Sequence, residues 1–201
     1  LSRSVFGLVS LFLYSYCLAL LPIATAVTLN YTSPIFLALV LAFSKHERPS
    51  WQLVACTLGG FAGVLLLLRP TITADQVFPA LCGLASGVLA TGAYMSIRRL
   101  GELGEPDWRV VFYFTLVSTL GAGLWLLLVH VSAWRWSNAW ILLAIGAFAT
   151  AAQLAMTRSF QMGKPLLVGS LSYSAIVFAS ILGLVIWQET LPPAAFPYAF
   201  L

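Results

Sequence analysis

Seven apolar runs divide the chain, and each approaches the roughly 20 helical residues that a hydrocarbon core requires. They fall at about residues 5–21, 23–44, 51–68, 78–97, 110–131, 139–157 and 166–187, and an eighth begins near Ala194. Between them lie only short polar joins: a Leu21-Pro22 turn, then residues 45–50, 69–76, 98–109, 130–138, 158–165 and 188–193. The pattern predicts membrane-spanning helices in close succession, with no soluble domain and no long linker.

The second run carries the most polar detail. Thr28, Tyr31 and Thr32 share a helical face, and Pro34 follows in the interior, where it removes an intrahelical hydrogen bond and invites a kink. A break in a membrane helix is tolerated where neighbouring helices or a water-lined cavity satisfy the freed carbonyl, so this run is expected to be buried beside a polar cavity. Residues 168–190 read as its second copy. Setting Tyr31 against Tyr173 without gaps pairs Leu29 with Leu171, Phe36 with Phe178 and Glu47 with Glu189. It also pairs the face Thr28/Tyr31/Thr32 with Ser170/Tyr173/Ser174.

Composition settles the class. The chain has 201 residues, 61% hydrophobic and only 8% charged, with a mean hydropathy of +0.96, which is outside the range of a domain with a solvated surface. The net charge of +4 comes from ten Lys and Arg scattered over the joins, a distribution that reports topology, so no nucleic-acid partner is expected. Alternate joins share a side of the membrane. Arg3, Lys45, Arg48, Arg98, Arg99, Arg109, Arg158 and Lys164 fall on one side, and only Arg69 and Arg135 on the other. The first side is therefore expected to be cytoplasmic. The two copies of the tyrosine-bearing run then cross in opposite directions, as in an inverted repeat with its site at the repeat interface. Trp51 and Trp108 on the inner side, and Trp134, Trp136, Trp140 and Trp187 on the outer, fit an aromatic belt.

Candidate chemistry is sparse. No run holds an Asp, Glu or Lys in its middle, and His46 and His130 lie at boundaries, so no catalytic residue and no enzyme activity are expected. Cys17, Cys56 and Cys82 sit within apolar runs without CxxC spacing and read as core residues; no metal and no cofactor are expected. Inward polar and aromatic groups are the candidates for contact with a small organic solute: Asn30, Tyr31, Tyr94, Gln153, Thr157, Ser170 and Tyr173. Thr150, Gln153 and Thr157 line one helical face, and Ser10, Tyr14 and Cys17 make a weaker stripe. Each of these groups has an alternative use as an interhelical hydrogen bond, and Tyr94 could equally belong to the inner aromatic belt. Arg158 reads as an inner-end side chain that snorkels, with a substrate-anion contact as the alternative, and Glu47 and Glu189 as caps for the helices that follow, with a gating role as the alternative. Gly59/Gly63 and Gly83/Gly87 are small-xxx-small pairs, read as packing within the bundle, with a homodimer face as the alternative.

These residues occur in a recognisable order. Arg3, then Tyr16, Ala19, Leu20 and Pro22 followed by Ala24 and Ala26, then Ser33-Pro34, Glu47, Gly63-Val64, Arg69-Pro70, Tyr94 to Arg98 and finally Glu189 resemble the EamA family of the drug/metabolite transporter superfamily. The resemblance implies an all-α polytopic membrane protein of ten helices in two inverted five-helix repeats, with a central site. On that template the chain holds helices three to nine and the start of helix ten, with residues 1–76 completing the first repeat and residues 77–201 forming the second. It begins at Leu1 rather than Met and ends inside an apolar stretch, so a fragment is expected. Ala175-Ile176 stand where the first copy has Ser33-Pro34, so a proline kink is expected in the first copy alone. The function expected is a secondary transporter moving a small organic metabolite or drug-like solute by alternating access in the bacterial cytoplasmic (inner) membrane, in contact with the lipid bilayer. The competing expectations are a non-transporting scaffold or sensor, and a membrane-embedded enzyme whose acid or metal ligand would lie in helices one and two of the template.

Overall fold

A computed structural model describes residues 1–43, 49–128 and 139–187. Among these residues all regular structure is helical: α1 (Ser2–Leu20), α2 (Ile23–Asn30), α3 (Ser33–Ala42), α4 (Trp51–Leu68), α5 (Val77–Glu102), α6 (Asp107–Leu128), α7 (Ala139–Met162), α8 (Pro165–Leu171) and α9 (Ser174–Trp187). Taking α2 with α3 and α8 with α9, they make seven segments long and apolar enough to cross a membrane. Glu47, Glu189, His46, His130, Trp134, Trp136 and the eighth apolar run lie outside the described residues, so their expected roles are not addressed.

Local signals end the helices. Ser50 accepts a hydrogen bond from the Leu53 N–H and starts α4, and Arg69 closes it in the left-handed region at φ 46° before Pro70. At the end of α5, Gly104 takes φ 76°, its N–H reaches the Gly101 carbonyl, and the Glu105 N–H reaches that of Leu100. That closure needs a residue free of Cβ strain. Charge did not end helices where the hydrophobic pattern suggested: α5 extends through Arg98 and Arg99, and α7 through Arg158 to the Gly163 stop. Long basic side chains can leave a helix axis for a polar layer without interrupting its backbone hydrogen bonds.

Both copies of the tyrosine-bearing run are broken, the first beside Pro34 and the second without a proline. In the first, α2 gives way at Tyr31-Thr32 and Pro34 opens α3, its missing N–H falling where no intrahelical partner is needed. In the second, no proline is present, yet α8 ends at Leu171 and α9 starts at Ser174. Here the N–H groups of Ser172, Tyr173, Ala175 and Ile176 each bond three residues back, to Gly169, Ser170, Ser172 and Tyr173. Serine hydroxyls also turn back onto helix carbonyls: Ser170 donates to Leu166 at 2.9 Å, Ser172 to Gly169 at 2.6 Å, the one carbonyl shared with those N–H groups, and Ser174 to Leu171 at 2.7 Å. Such back-bonding bends helices. Clustered serines achieve in the second copy what proline does in the first.

The described chain forms two compact units, residues 1–8 with 92–163, and residues 9–91 with 164 onward. In the first, α6 packs along α7. In the second, α8 packs on α3 and α4, and α4 also meets α2 and α3. Gly169 lets α8 lie close to α3, where a Cβ would stand 3.1 Å from Leu37. Gly83 and Gly87 serve the same purpose beside α2: a Cβ on Gly83 would meet the Cys17 sulfur at 2.7 Å, and one on Gly87 the Thr32 hydroxyl at 2.7 Å. Thr25, fully buried, both donates to the Thr71 carbonyl and accepts from its N–H at 3.0 Å, pinning the segment after α4 to α2. Large apolar side chains such as Leu124, Phe148 and Val185 remain exposed along the helix sides, the surface a lipid environment accommodates.

Candidate functional site

The sequence-derived candidates fall into two groups, one in each unit. Asn30, Tyr31, Ser170 and Tyr173 belong to the unit built on α2, α3, α4, α8 and α9, where the two broken helices meet. The break after α2 frees the Tyr31 carbonyl, because the Ile35 N–H that would accompany it in a continuous helix bonds to Thr32 instead. The Tyr173 hydroxyl donates to this Tyr31 oxygen at 3.3 Å. The two rings stand 5.9 Å apart between centroids, and Phe61 lies 6.4 Å from the Tyr173 ring. Gly60 makes room for that ring, since a Cβ there would come within 2.8 Å of it. Tyr173 is buried at 8% exposure.

A cavity of about 410 Å³ adjoins this junction, walled by Cys56, Gly60, Gly63, Ser170, Tyr173 and Ser174 among others. Its surface is mostly apolar with a few hydroxyls, the makeup of a small-molecule pocket. Ser170 and Tyr173 line it, but the Ser170 hydroxyl hydrogen is already committed to α8 carbonyls. Asn30 is turned to another task. Its amide donates to the Ser86 hydroxyl at 3.2 Å, Ser86 donates to Gly83 at 2.6 Å, and Ser10 donates to the Ser86 carbonyl at 2.8 Å. This chain of bonds ties α1, α2 and α5 together, the interhelical use weighed for Asn30 from the outset.

Tyr94, Gln153 and Thr157 belong to the other unit. Tyr94 stacks on Phe160 with centroids 4.4 Å apart and planes 8° from parallel. Thr157 is fully buried and its hydroxyl has no hydrogen-bond partner among the described residues. Thr150, on the same helix, is exposed and bonds back to Gly146. Gln153 accepts a hydrogen bond from the Arg3 guanidinium at 3.2 Å.

Arg3 is the residue that sequence reasoning misjudged. It reads as a charge flanking the first span, yet it lies in the first turn of α1 at 4% exposure, with its guanidinium 3.9 Å over the Phe114 ring. A signal was present. Gly7 sits one turn on, on the same face, and any side chain there would collide with the Arg3 guanidinium and the Phe114 ring.

Known proteins resemble this chain. The family model for EamA-like transporters matches residues 1–69. The pseudopaline exporter of Pseudomonas aeruginosa (strain UCBPP-PA14) is 33% identical over 196 residues, covering 94% of this chain and 66% of the exporter. The chain belongs to the EamA-like transporter family. A riboflavin transporter of Brucella anthropi is 29% identical over 73% of this chain and 53% of its own length. A solved crystal structure of a protein superposes with a TM-score of 0.84 at 28% identity, covering 98% of this chain and 71% of that one. The chain thus spans 66% of the exporter's length and less of the riboflavin transporter's. With its long apolar helices, this EamA-like chain is an integral membrane protein, and its relatives are named as transporters rather than enzymes.

Proposed function

We propose that the protein containing this chain is a secondary transporter that moves a small organic solute by alternating access across a bacterial cytoplasmic membrane. The observation that carries this reading is the meeting of two broken helices at Tyr31 and Tyr173, with the phenol of one satisfying the carbonyl freed in the other. Discontinuous helices are costly in lipid and recur where transporters bind their solutes. We take residues 1–76 as the remainder of a first five-helix repeat and residues 77 onward as a second, inverted one. The charge asymmetry of the joins and the pairing of Tyr31 with Tyr173 support that assignment. Solute contact is assigned to Ser170 and Tyr173 at the cavity wall and to Tyr31 beside them, with Asn30 as the support of that junction. Tyr94, Gln153 and Thr157 are the contacts assigned in the other unit. The relatives are named for organic solutes, which favours a solute of that kind.

The test is transport by the full-length protein in proteoliposomes, with a panel of labelled metabolites. Tyr31→Ala and Tyr173→Ala are each expected to reduce transport at least about tenfold while the protein still inserts. Wild-type transport in both variants would remove the junction from the solute path.

A further inference from the structure

Arg3 is a buried cation with no acidic partner among the described residues. Taking a guanidinium out of water costs several kcal/mol unless an anion or a full set of acceptors repays it. Among the described residues no carboxylate lies within ion-pair distance of Arg3; its contacts are the neutral amide of Gln153 and the face of Phe114, and its Nε has no acceptor. Glu105, which lines a cavity with Arg3, is held by Arg109 at 2.9 Å. Arg3 also forms part of the wall of a cavity of about 360 Å³, with Ser4, Leu100, Val110, Tyr113 and Val117. Leu1, Glu105 and Arg109 also line it, and Glu105 pairs with Arg109, which leaves Arg3 as the side-chain charge of the lining that has no ion-pair partner among the described residues.

We infer that this cavity is an anion subsite in which the Arg3 guanidinium receives the carboxylate of an organic solute. A guanidinium presents paired N–H donors that match the two oxygens of a carboxylate. Gln153 holds the fork from the side and Phe114 from beneath, so its direction is set before an anion arrives. The aliphatic and aromatic wall suits an apolar body attached to the acid. A neutral glutamine, where glutamate would have completed an ion pair, keeps the charge available. The inference deepens the transport reading and rests on it for calling the ligand a solute.

The experiment uses the full-length protein purified in detergent, with 3-phenylpropionate and its uncharged amide as probes and thermal stability as the readout. The carboxylate is expected to raise the unfolding temperature and the amide to leave it unchanged. Arg3→Gln should weaken the carboxylate response about tenfold or more, and Arg3→Lys should retain part of it. Gln153→Glu guards against a variant that merely fails to fold. It supplies an internal carboxylate to Arg3, so it should preserve or raise basal stability while abolishing the response to phenylpropionate. Equal responses to acid and amide, no response to either, or an undiminished response in Gln153→Glu overturns the assignment. So does a response to phosphatidylglycerol alone, which would give the guanidinium to a lipid headgroup. Carboxylate binding without transport of any solute in proteoliposomes would sink the transport reading and leave the subsite standing; transport with no preference for acids would do the reverse.

Discussion

The hydroxyl of Tyr173 donates to the backbone oxygen of Tyr31 across 142 residues of sequence. Each partner sits at a break in its own helix, so one side chain repairs part of the backbone deficit that the other helix creates. Tyr173→Phe keeps the ring and its contacts with Tyr31 and Phe61 but removes this donor. It is expected to cost about 1 kcal/mol, against about 3 kcal/mol for Tyr173→Ala, which also empties the space against Gly60. Thermal unfolding of the full-length protein in detergent compares them, and wild-type stability in Tyr173→Phe would mean that the hydroxyl contributes nothing.

Adjacent glycines of α4 should respond to alanine with opposite signs. A methyl at Gly60 meets the Tyr173 ring at 2.8 Å, an overpacking expected to cost about 1–3 kcal/mol, whereas Gly59 has nothing within 4 Å. Gly59→Ala should therefore be neutral or stabilising by up to about 1 kcal/mol through helix propensity. The same unfolding assay decides; a destabilising Gly59→Ala would reveal a packing partner on that face.

Asn30 and Ser86 should be energetically coupled. A double-mutant cycle with Asn30→Ala and Ser86→Ala is expected to yield a coupling near 0.6 kcal/mol, the typical value for interhelical side-chain bonds in membrane proteins. A coupling of zero would release the Asn30 amide from its bond to α5.

Serine hydroxyls should sustain the second helix break. Ser172→Ala combined with Ser174→Ala removes two donors to the Gly169 and Leu171 carbonyls and is expected to slow amide exchange over residues 172–176 as the i−4 pattern returns. Unchanged exchange would shift the cause of the break to the packing of Tyr173 and Ile176 on Val64.

The apolar runs alone determined that the chain is a set of closely linked membrane helices, because a bilayer demands long apolar segments whose backbone bonds are satisfied internally. The ungapped match of Tyr31 with Tyr173 likewise singled out the two helices that meet, and Gly83/Gly87 marked a close approach that the fold uses. Three things were decided only by tertiary structure. Helix ends near Arg98 and Arg158 followed Gly and Pro stops rather than the first charge. The break at Ser172-Tyr173 depended on which of several serine hydroxyls turned back onto the helix. Arg3 changed from a flanking charge to a buried one, because burial is a property of what packs against a residue, and Gln153 and Phe114 lie more than a hundred positions away. Periodicity along one helix reports its faces; which face meets which neighbour is settled when distant segments compete for the same space.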